Sequence, residues 1–352
     1  MICYKSERII VDQFMETKLD VLITFYNQED CVDKALESVF SQKCDFKYRV
    51  LIGDDGSNDG TLERVSKWSS RYPGVIQVFQ MERNPSEKYV GGFRASKNRL
   101  NLLKEVKAPY FTFLDGDDYY IDNNKFQTQV DILDREGNSD CDACAHAINA
   151  VYDDGKVIVY PWQAIQQGKY ALKQYWADLY FHTDTSIIRS STIKNIPLDL
   201  IENNYNDNMI TYLFLQNGKV YYIPQIMAAY MQTGSGIWTS GKKITNNIRN
   251  MFLYDLSIMI NKNMAKETDI RFMNAWKNLY RERKIIKADE LKALCAEAED
   301  KNLKFSSLWL HYAALRPVEK AFLQIKYLRV LFNGYFFKLE RKFFNVHKTN
   351  DA

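Results

Sequence analysis

The chain has 352 residues, 46% of them hydrophobic, 26% charged and 14% aromatic, which is material for one large domain or two ordinary ones. Six cysteines over that length exclude a disulfide scaffold, and no apolar stretch approaches the ~20 residues of a membrane-spanning helix. The formal charge of +3 hides an asymmetry: residues 241–352 hold 22 Lys and Arg against 12 Asp and Glu, whereas residues 1–240 hold 25 against 32. Two regions of opposite sign point to two jobs.

In chain order, "MICYKSERIIVDQF" carries no long apolar run of a signal peptide, so a soluble, reducing, cytoplasmic setting is expected. "LDVLITFY" (19–26) reads as an apolar strand. "CVDKALESVFSQ" (31–42) places Val32, Ala35, Leu36, Val39 and Phe40 at helical spacing. "YRVLIGDDGS" (48–57) is a second strand that breaks at its Gly-Asp-Asp-Gly. A helix over "TLERVSKWSSRY", a strand over "VIQVFQ" (75–80), a basic helix over 92–106 and a strand over "APYFTFLD" follow. This alternation, with strands apolar on both faces, predicts an α/β fold with a mostly parallel sheet. Ligands in such sheets bind beyond the carboxyl ends of the strands. Both Asp54-Asp55 and the trio Asp115, Asp117 and Asp118 stand there.

Further on, "CDACAH" (141–146) contains a lone C-x-x-C whose alternation fits a strand better than a metal or redox site. "TGSGIWTSGKK" (233–243) has the punctuation of a linker or mobile loop. Helical patterns fill the rest, ending in a tail where Arg316 to Ala352 interleaves 8 Lys and Arg with many Phe, Tyr and Leu.

By themselves the three aspartates of "FLDGDDYY" (113–120) fit two readings. One is a hard divalent cation shared with substrate phosphates. The other is an acidic turn whose aspartate caps the helix begun at "DNNKFQ". Asp54 and Ser57 likewise suit the capping of a helix start.

Read together, "VLITFYNQEDCVDKALESVFSQ", "YRVLIGDDGSNDGT" and "YFTFLDGDDYYID" resemble the nucleotide-sugar half of the family 2 glycosyltransferases, which are inverting enzymes of the GT-A fold. The likeness extends to "NDNMITYLFLQNGKVYYIPQIMAAY" (206–230) and spans roughly residues 18–235. It implies a UDP-sugar donor and a Mn²⁺ or Mg²⁺ cofactor. Thr24, where Pro is more usual, and Tyr26 would line the base pocket. Asp54-Asp55 would form the base-reading motif, with Asp55 accepting the N3–H of uracil in a charge-assisted hydrogen bond. Lys97 stands where the family often has Arg and would meet a phosphate or the base as a point charge, unless it lies on a solvated helix face. Asp115 would face ribose and metal, Asp117 would bind the metal directly and Asp118 would support them.

Asp207 falls at the family's general-base position, with Asn206 replacing the usual Glu. Thr233 stands where relatives often have a metal-binding His. His182 and Trp238 are the acceptor-side candidates. The expected organisation is a GT-A-like catalytic domain over 1–238 and a basic, aromatic-rich α-helical domain over 239–352. The expected reaction moves a hexose to a hydroxyl of a glycan, glycoprotein or lipid-linked saccharide, as in bacterial surface-polysaccharide or glycoprotein assembly. Three readings stay open for the tail: contact with an anionic membrane surface at the inner face of the cell membrane, an oligomerisation arm, or a helical cap on the catalytic domain. Nucleic-acid binding is not expected. The rivals are a non-catalytic scaffold of the same fold and a sugar nucleotidyltransferase; the second lacks its Gly-rich phosphate loop at "TFYNQEDC".

Overall fold

The computed structural model describes residues 16–84, 86, 91–161, 165–171, 173–174, 182–195, 218–233 and six positions beyond 249. The chain divides into two compact units, Met1–Ser240 and Gly241–Ala352. The expected boundary near 238 lies outside the described residues. So does the expected C-terminal helical domain, except that Asn250, Phe252, Leu253, Tyr254, Ser257 and Ala296 are helical.

Within the first unit β1 (Thr17–Phe25), β2 (Lys47–Asp54), β3 (Ile76–Gln80) and β4 (Tyr110–Asp115) alternate with α1 (Glu29–Phe40), α2 (Thr61–Arg71) and α3 (Gly91–Lys104). Then come β5 (Tyr119–Tyr120), α4 (Lys125–Asp134), β6 (Cys141–Tyr152), β7 (Val157–Tyr160), β8 (Gly168–Ala171), β9 (Ile187–Arg189) and β10 (Lys219–Gln232). The sheet runs β3-β2-β1-β4-β9-β6-β10-β5, with β7 on β6 and β8 on β10. Its first four strands are mutually parallel, as are β6 and β10. Antiparallel β9 joins the two halves through β4 and β6. The result is a mixed sheet in which parallel pairing accounts for most of the length.

The strand sequences explain the layering. Leu19, Val21, Leu22, Ile23 and Phe25 of β1 are all buried, so both faces of the strand are covered and no polar alternation survives. α1 buries Val32, Ala35, Leu36 and Val39, one stripe of a 3.6-residue period. The starts of α1 and α2 are laced together: Asp59 accepts from Glu29 N at 3.1 Å and Thr61 N at 3.0 Å, while Glu29 accepts from Gly60 N at 2.9 Å. These carboxylates satisfy N–H groups that a helix start leaves unpaired. "CDACAH" is indeed strand, with Cys141 and Cys144 buried as free thiols.

Register then sets the rim. Thr24 lies beside Gly53 of β2 and Asp115 of β4, so three parallel strands end level with one another. At the opposite end of β1, buried Asp20 accepts from Arg49 Nε at 2.8 Å and Nη2 at 2.6 Å, and from the Lys107 and Ala108 amides at 2.7 and 2.9 Å. Removing that carboxylate strands four donors. Asp20→Ala is expected to cost about 3–5 kcal/mol in urea unfolding, as for other broken buried pairs; a loss below ~1 kcal/mol would contradict this.

Candidate active site

Two turns build the site. After β2, Asp54 accepts from Gly56 N at 3.0 Å, Ser57 N at 2.9 Å and Ser57 Oγ at 2.5 Å. Gly56 takes φ +73°, and a Cβ there would meet Met81 O and the stem of Arg83, so only glycine lets that arginine cross. Arg83 then clasps Asp55, through Nη2 to Oδ2 and through Nε to the backbone carbonyl at 2.5 Å. Arg94 pairs with the other carboxylate oxygen at 2.6 Å. The Arg83 guanidinium also lies 3.7 Å over the ring of Tyr26, which is 41% exposed at the end of β1. Asp54 thus holds the turn, while Asp55, Tyr26 and two arginines form one charged, partly open corner.

The second turn follows β4. Asp115, Asp118, His182 and Asp184 each offer a ligand atom, and these atoms lie within 4.8 Å of one another. Asp115 pairs with Arg99 Nη2. Asp118 Oδ1 accepts from Met231 N at 2.7 Å, fixing the turn to β10. Asp184 Oδ1 accepts from Asp115 N at 3.2 Å, and its Oδ2 lies 3.4 Å from His182 Nδ1. The His182 ring lies 4.1 Å from that of Tyr230.

Crowding of like charges shows in the acidities. Burial pushes the Asp115 carboxyl up, against the pull of Arg99. Burial, and then the Asp115 charge, push Asp117 up to about 6. Asp118 is pushed well above the carboxylate range by burial and by Asp184, whereas His182 holds Asp184 below that range despite its burial. The two shifts run in opposite directions, so Asp118 is the more readily protonated of that pair. Asp118 Oδ2 and Asp184 Oδ2 are buried and accept no well-formed hydrogen bond among the described residues, although His182 Nδ1 lies 3.4 Å from the latter. A proton, a bound water or a cation would satisfy such oxygens. Hard oxygen donors with one imidazole suit Mn²⁺ or Mg²⁺, so the residues present fit the expected ion.

Of the residues singled out in the sequence, Thr24, Tyr26, Asp54, Asp55, Asp115 and Asp117 gather along the ends of β1, β2 and β4. Asp117 neighbours the four-residue cluster without belonging to it, and Asp118 does belong. His182 is buried in that cluster. Lys97 is exposed on α3, while Arg99, two residues on, is buried and reaches Asp115. Asp207 and Trp238 lie outside the described residues. Sequence reading missed Arg83, Arg94, Arg99 and Asp184. The spacing of Ser96, Arg99 and Leu103 on one face of α3 was a usable signal for Arg99. No local pattern marks Asp184, which arrives from 69 residues away.

A strand-end acidic site on this sheet is the architecture of the GT-A glycosyltransferases. The family description "Glycosyl transferase family 2" matches residues 20–196, and the chain belongs to that family. An uncharacterized protein of Mycobacterium tuberculosis is 25% identical over 227 residues, 63% of this chain, and the chain spans 61% of that relative's length. A poly(ribitol-phosphate) beta-glucosyltransferase of Bacillus spizizenii is 30% identical over 103 residues, 29% of this chain and 15% of its own. Among solved structures, S. aureus TarS 1-349 in complex with UDP superposes with a TM-score of 0.57 at 18% identity, covering 85% of this chain and 87% of that one. A mannosyltransferase of Pyrobaculum calidifontis in complex with GDP-Man and Mn²⁺ gives 0.51 at 13% identity, with 85% of each chain covered. These two likenesses define the fold.

The weakened acidity of the Asp117 carboxyl bears on stability. A carboxyl whose pKa rises from 3.8 to about 6 on folding stabilises the fold fully below pH 3.8 and loses that contribution as pH passes 6. Asp117→Asn in EDTA is therefore expected to be more stable than wild type by about 1–3 kcal/mol at pH 7.5, and to lose the advantage by about pH 4. Equal unfolding free energies at pH 7.5 would contradict the burial argument.

Proposed function

We propose that the protein is an inverting, metal-assisted glycosyltransferase that moves a hexose from a UDP-sugar to a hydroxyl of a glycan, glycoprotein or lipid-linked saccharide. The observation that carries this reading is the cluster of Asp115, Asp118, Asp184 and His182, whose ligand atoms lie within 4.8 Å of one another at the rim where three strands end level. Asp115, Asp118, Asp184 and His182, with Asp117 beside them, would hold Mn²⁺ or Mg²⁺. Such an ion supplies Lewis-acid stabilisation of the negative charge that builds on a departing diphosphate.

The chain's own groups do the rest. Tyr26, Thr24 and the Arg-clasped Asp55 form the base corner, with Asp55 as acceptor for an imide N–H. Asp54 positions Asp55 by holding the turn. Lys97, exposed on α3, is a candidate phosphate contact from outside. Asp207 is assigned as general base: the acceptor oxygen bonds to the anomeric carbon, the bond to the diphosphate oxygen breaks, and the acceptor's proton passes to Asp207. Trp238 is the candidate acceptor platform. The burial of His182 against Asp184 and Tyr230 favours a place in the acidic cluster over direct acceptor contact.

TarS bound to UDP, the Bacillus glucosyltransferase and the archaeal mannosyltransferase with Mn²⁺ support the donor, hexose and cation assignments by analogy. We assign residues 1–238 to catalysis and the basic 239–352 region to a helical domain that meets a membrane surface or another copy of the chain. The proposed location is the cytoplasm, peripheral to the inner face of the membrane. No helix among the described residues is long and apolar enough to cross a membrane.

The test is UDP release from UDP-hexoses with Mn²⁺ or with EDTA. Turnover is expected to need the ion. Asp207→Asn is expected to lower kcat by about 10²–10⁴-fold while UDP–Mn²⁺ binding stays within a few fold. An Asp207→Asn enzyme with wild-type turnover would overturn the base assignment, whereas binding of a UDP-sugar with no UDP release under any condition would favour the scaffold reading.

A further inference from the structure

Two of the four clustered side chains, His182 and Asp184, stand on no strand. They ride on the turn 182–186, in which every residue is buried. β9 begins directly after it. The ladders on both sides of β9 reach toward the turn only as far as Ile187, which pairs with Thr112 of β4 and Cys144 of β6. Past that level the sheet no longer holds the chain, and the carbonyls of a buried turn need donors from elsewhere.

Two side chains take over where the ladders stop. On the β4 side, Thr112 Oγ1 donates to the Ser186 carbonyl at 2.9 Å. On the β6 side, Gln129, wholly buried on α4, donates from Nε2 to the Thr185 carbonyl at 2.9 Å and to the Cys144 carbonyl at 2.6 Å. One amide thus fastens the turn to β6 at the end of the ladder. Its orientation is fixed by chemistry, because exchanging Oε1 and Nε2 would set an oxygen against two carbonyl oxygens. Within the turn, Thr185 N and Oγ1 both donate to the His182 carbonyl, at 3.0 and 2.7 Å, so a displacement at Thr185 reaches His182 directly. Asp184 lies between them, and its own bond from the Asp115 amide is long, at 3.2 Å. α4 is a firm base for such a tether. Buried Gln42 accepts from Phe126 N at 3.1 Å and donates to the Asp122 carbonyl at 2.8 Å, while Phe126, Val130 and Leu133 pack into the core.

We propose that Gln129 is a positioning residue for the cation site: through the Thr185 and Cys144 carbonyls it sets the depth at which His182 and Asp184 meet Asp115 and Asp118. The inference rests on the reading that this cluster holds a divalent cation. Asp115 and Asp118 are fixed independently, by the pairing of β4 with β1 and by the Met231 amide. The turn 182–186 is the half of the site whose place depends on side chains. Metal sites tolerate ligand distances that stray by only about 0.2 Å, and loss of a group that orients a ligand typically costs about 10–100-fold in metal affinity. Thr112 holds the turn from the β4 side alone, so without the Gln129 amide its β6 side loses both hydrogen bonds.

Gln129→Met keeps the length of the side chain and removes both donors. Gln42→Met is the matched control, since it also removes a buried amide that bridges backbone groups, at the start of α4 rather than at the turn. Both variants are expected to lower the urea unfolding midpoint in EDTA. Titration of Mn²⁺ alone into the full chain, followed by the paramagnetic resonance signal of the free ion, reads the site itself. Gln129→Met is expected to bind Mn²⁺ about 10–100-fold more weakly than wild type, and Gln42→Met to stay within about twofold of it. A merely structural glutamine would lower the midpoint and leave affinity unchanged, or weaken binding equally in the two variants; either result overturns the inference. Gln129→Leu makes the same comparison should the methionine variant not fold. Wild type that takes up no Mn²⁺ overturns the cation reading as well; uptake that Gln129→Met leaves unchanged overturns this inference alone.

Discussion

Repulsion among buried carboxylates is the constraint around which this protein is organised. Asp115, Asp117, Asp118 and Asp184 meet at the end of β4 with Arg99 and His182 beside them as positive compensation. A protein core tolerates such a group only where something positive completes it. The surrounding elements keep the carboxylates from separating. The Met231 amide pins Asp118, the Asp115 amide pins Asp184, and level strand ends set Asp115 beside Thr24. On the proposed reading, stability is given up locally so that an ion finds its ligands already assembled.

The same strand-end register serves the other half of the site. Adjacent strands lie about 4.8 Å apart, so β2 and β4, flanking β1, present Asp55 and Asp115 roughly two strand spacings from each other. On the proposed reading, that span takes a base at one end and a diphosphate at the other. Asp54 and Asp55 divide the labour within one dipeptide. The first spends its lone pairs on the turn, and the second faces two arginines and the exposed Tyr26 ring.

Much of this was legible in the chain. Continuous apolar runs such as "VLITF" announce strands covered on both faces, and the 3.6-residue spacing in α1 announces its packing. "DGDD" and "GDDGS" mark strand ends because aspartate and glycine satisfy and permit tight turns. What stayed hidden was whatever depends on contact between distant segments. Asp184 reads locally as one polar residue in "HTDTS". Lys97 attracted notice by position in a motif, although helical geometry turns Arg99 inward and leaves Lys97 outside. Lys125 reads as a helix-start lysine, and only the fold reveals that Tyr120 and Phe126 enclose it. Burial of charge is a tertiary fact, and local pattern carries little of it.

The central claim is that these converging carboxylates are a cation site belonging to a nucleotide. Anomalous diffraction at the manganese edge from crystals grown with Mn²⁺ and UDP tests it most directly. The account predicts one strong peak within coordinating distance of Asp115, Asp118 or Asp184 and of the UDP phosphates. UDP bound with no peak at this cluster, or manganese bound only elsewhere, would contradict it.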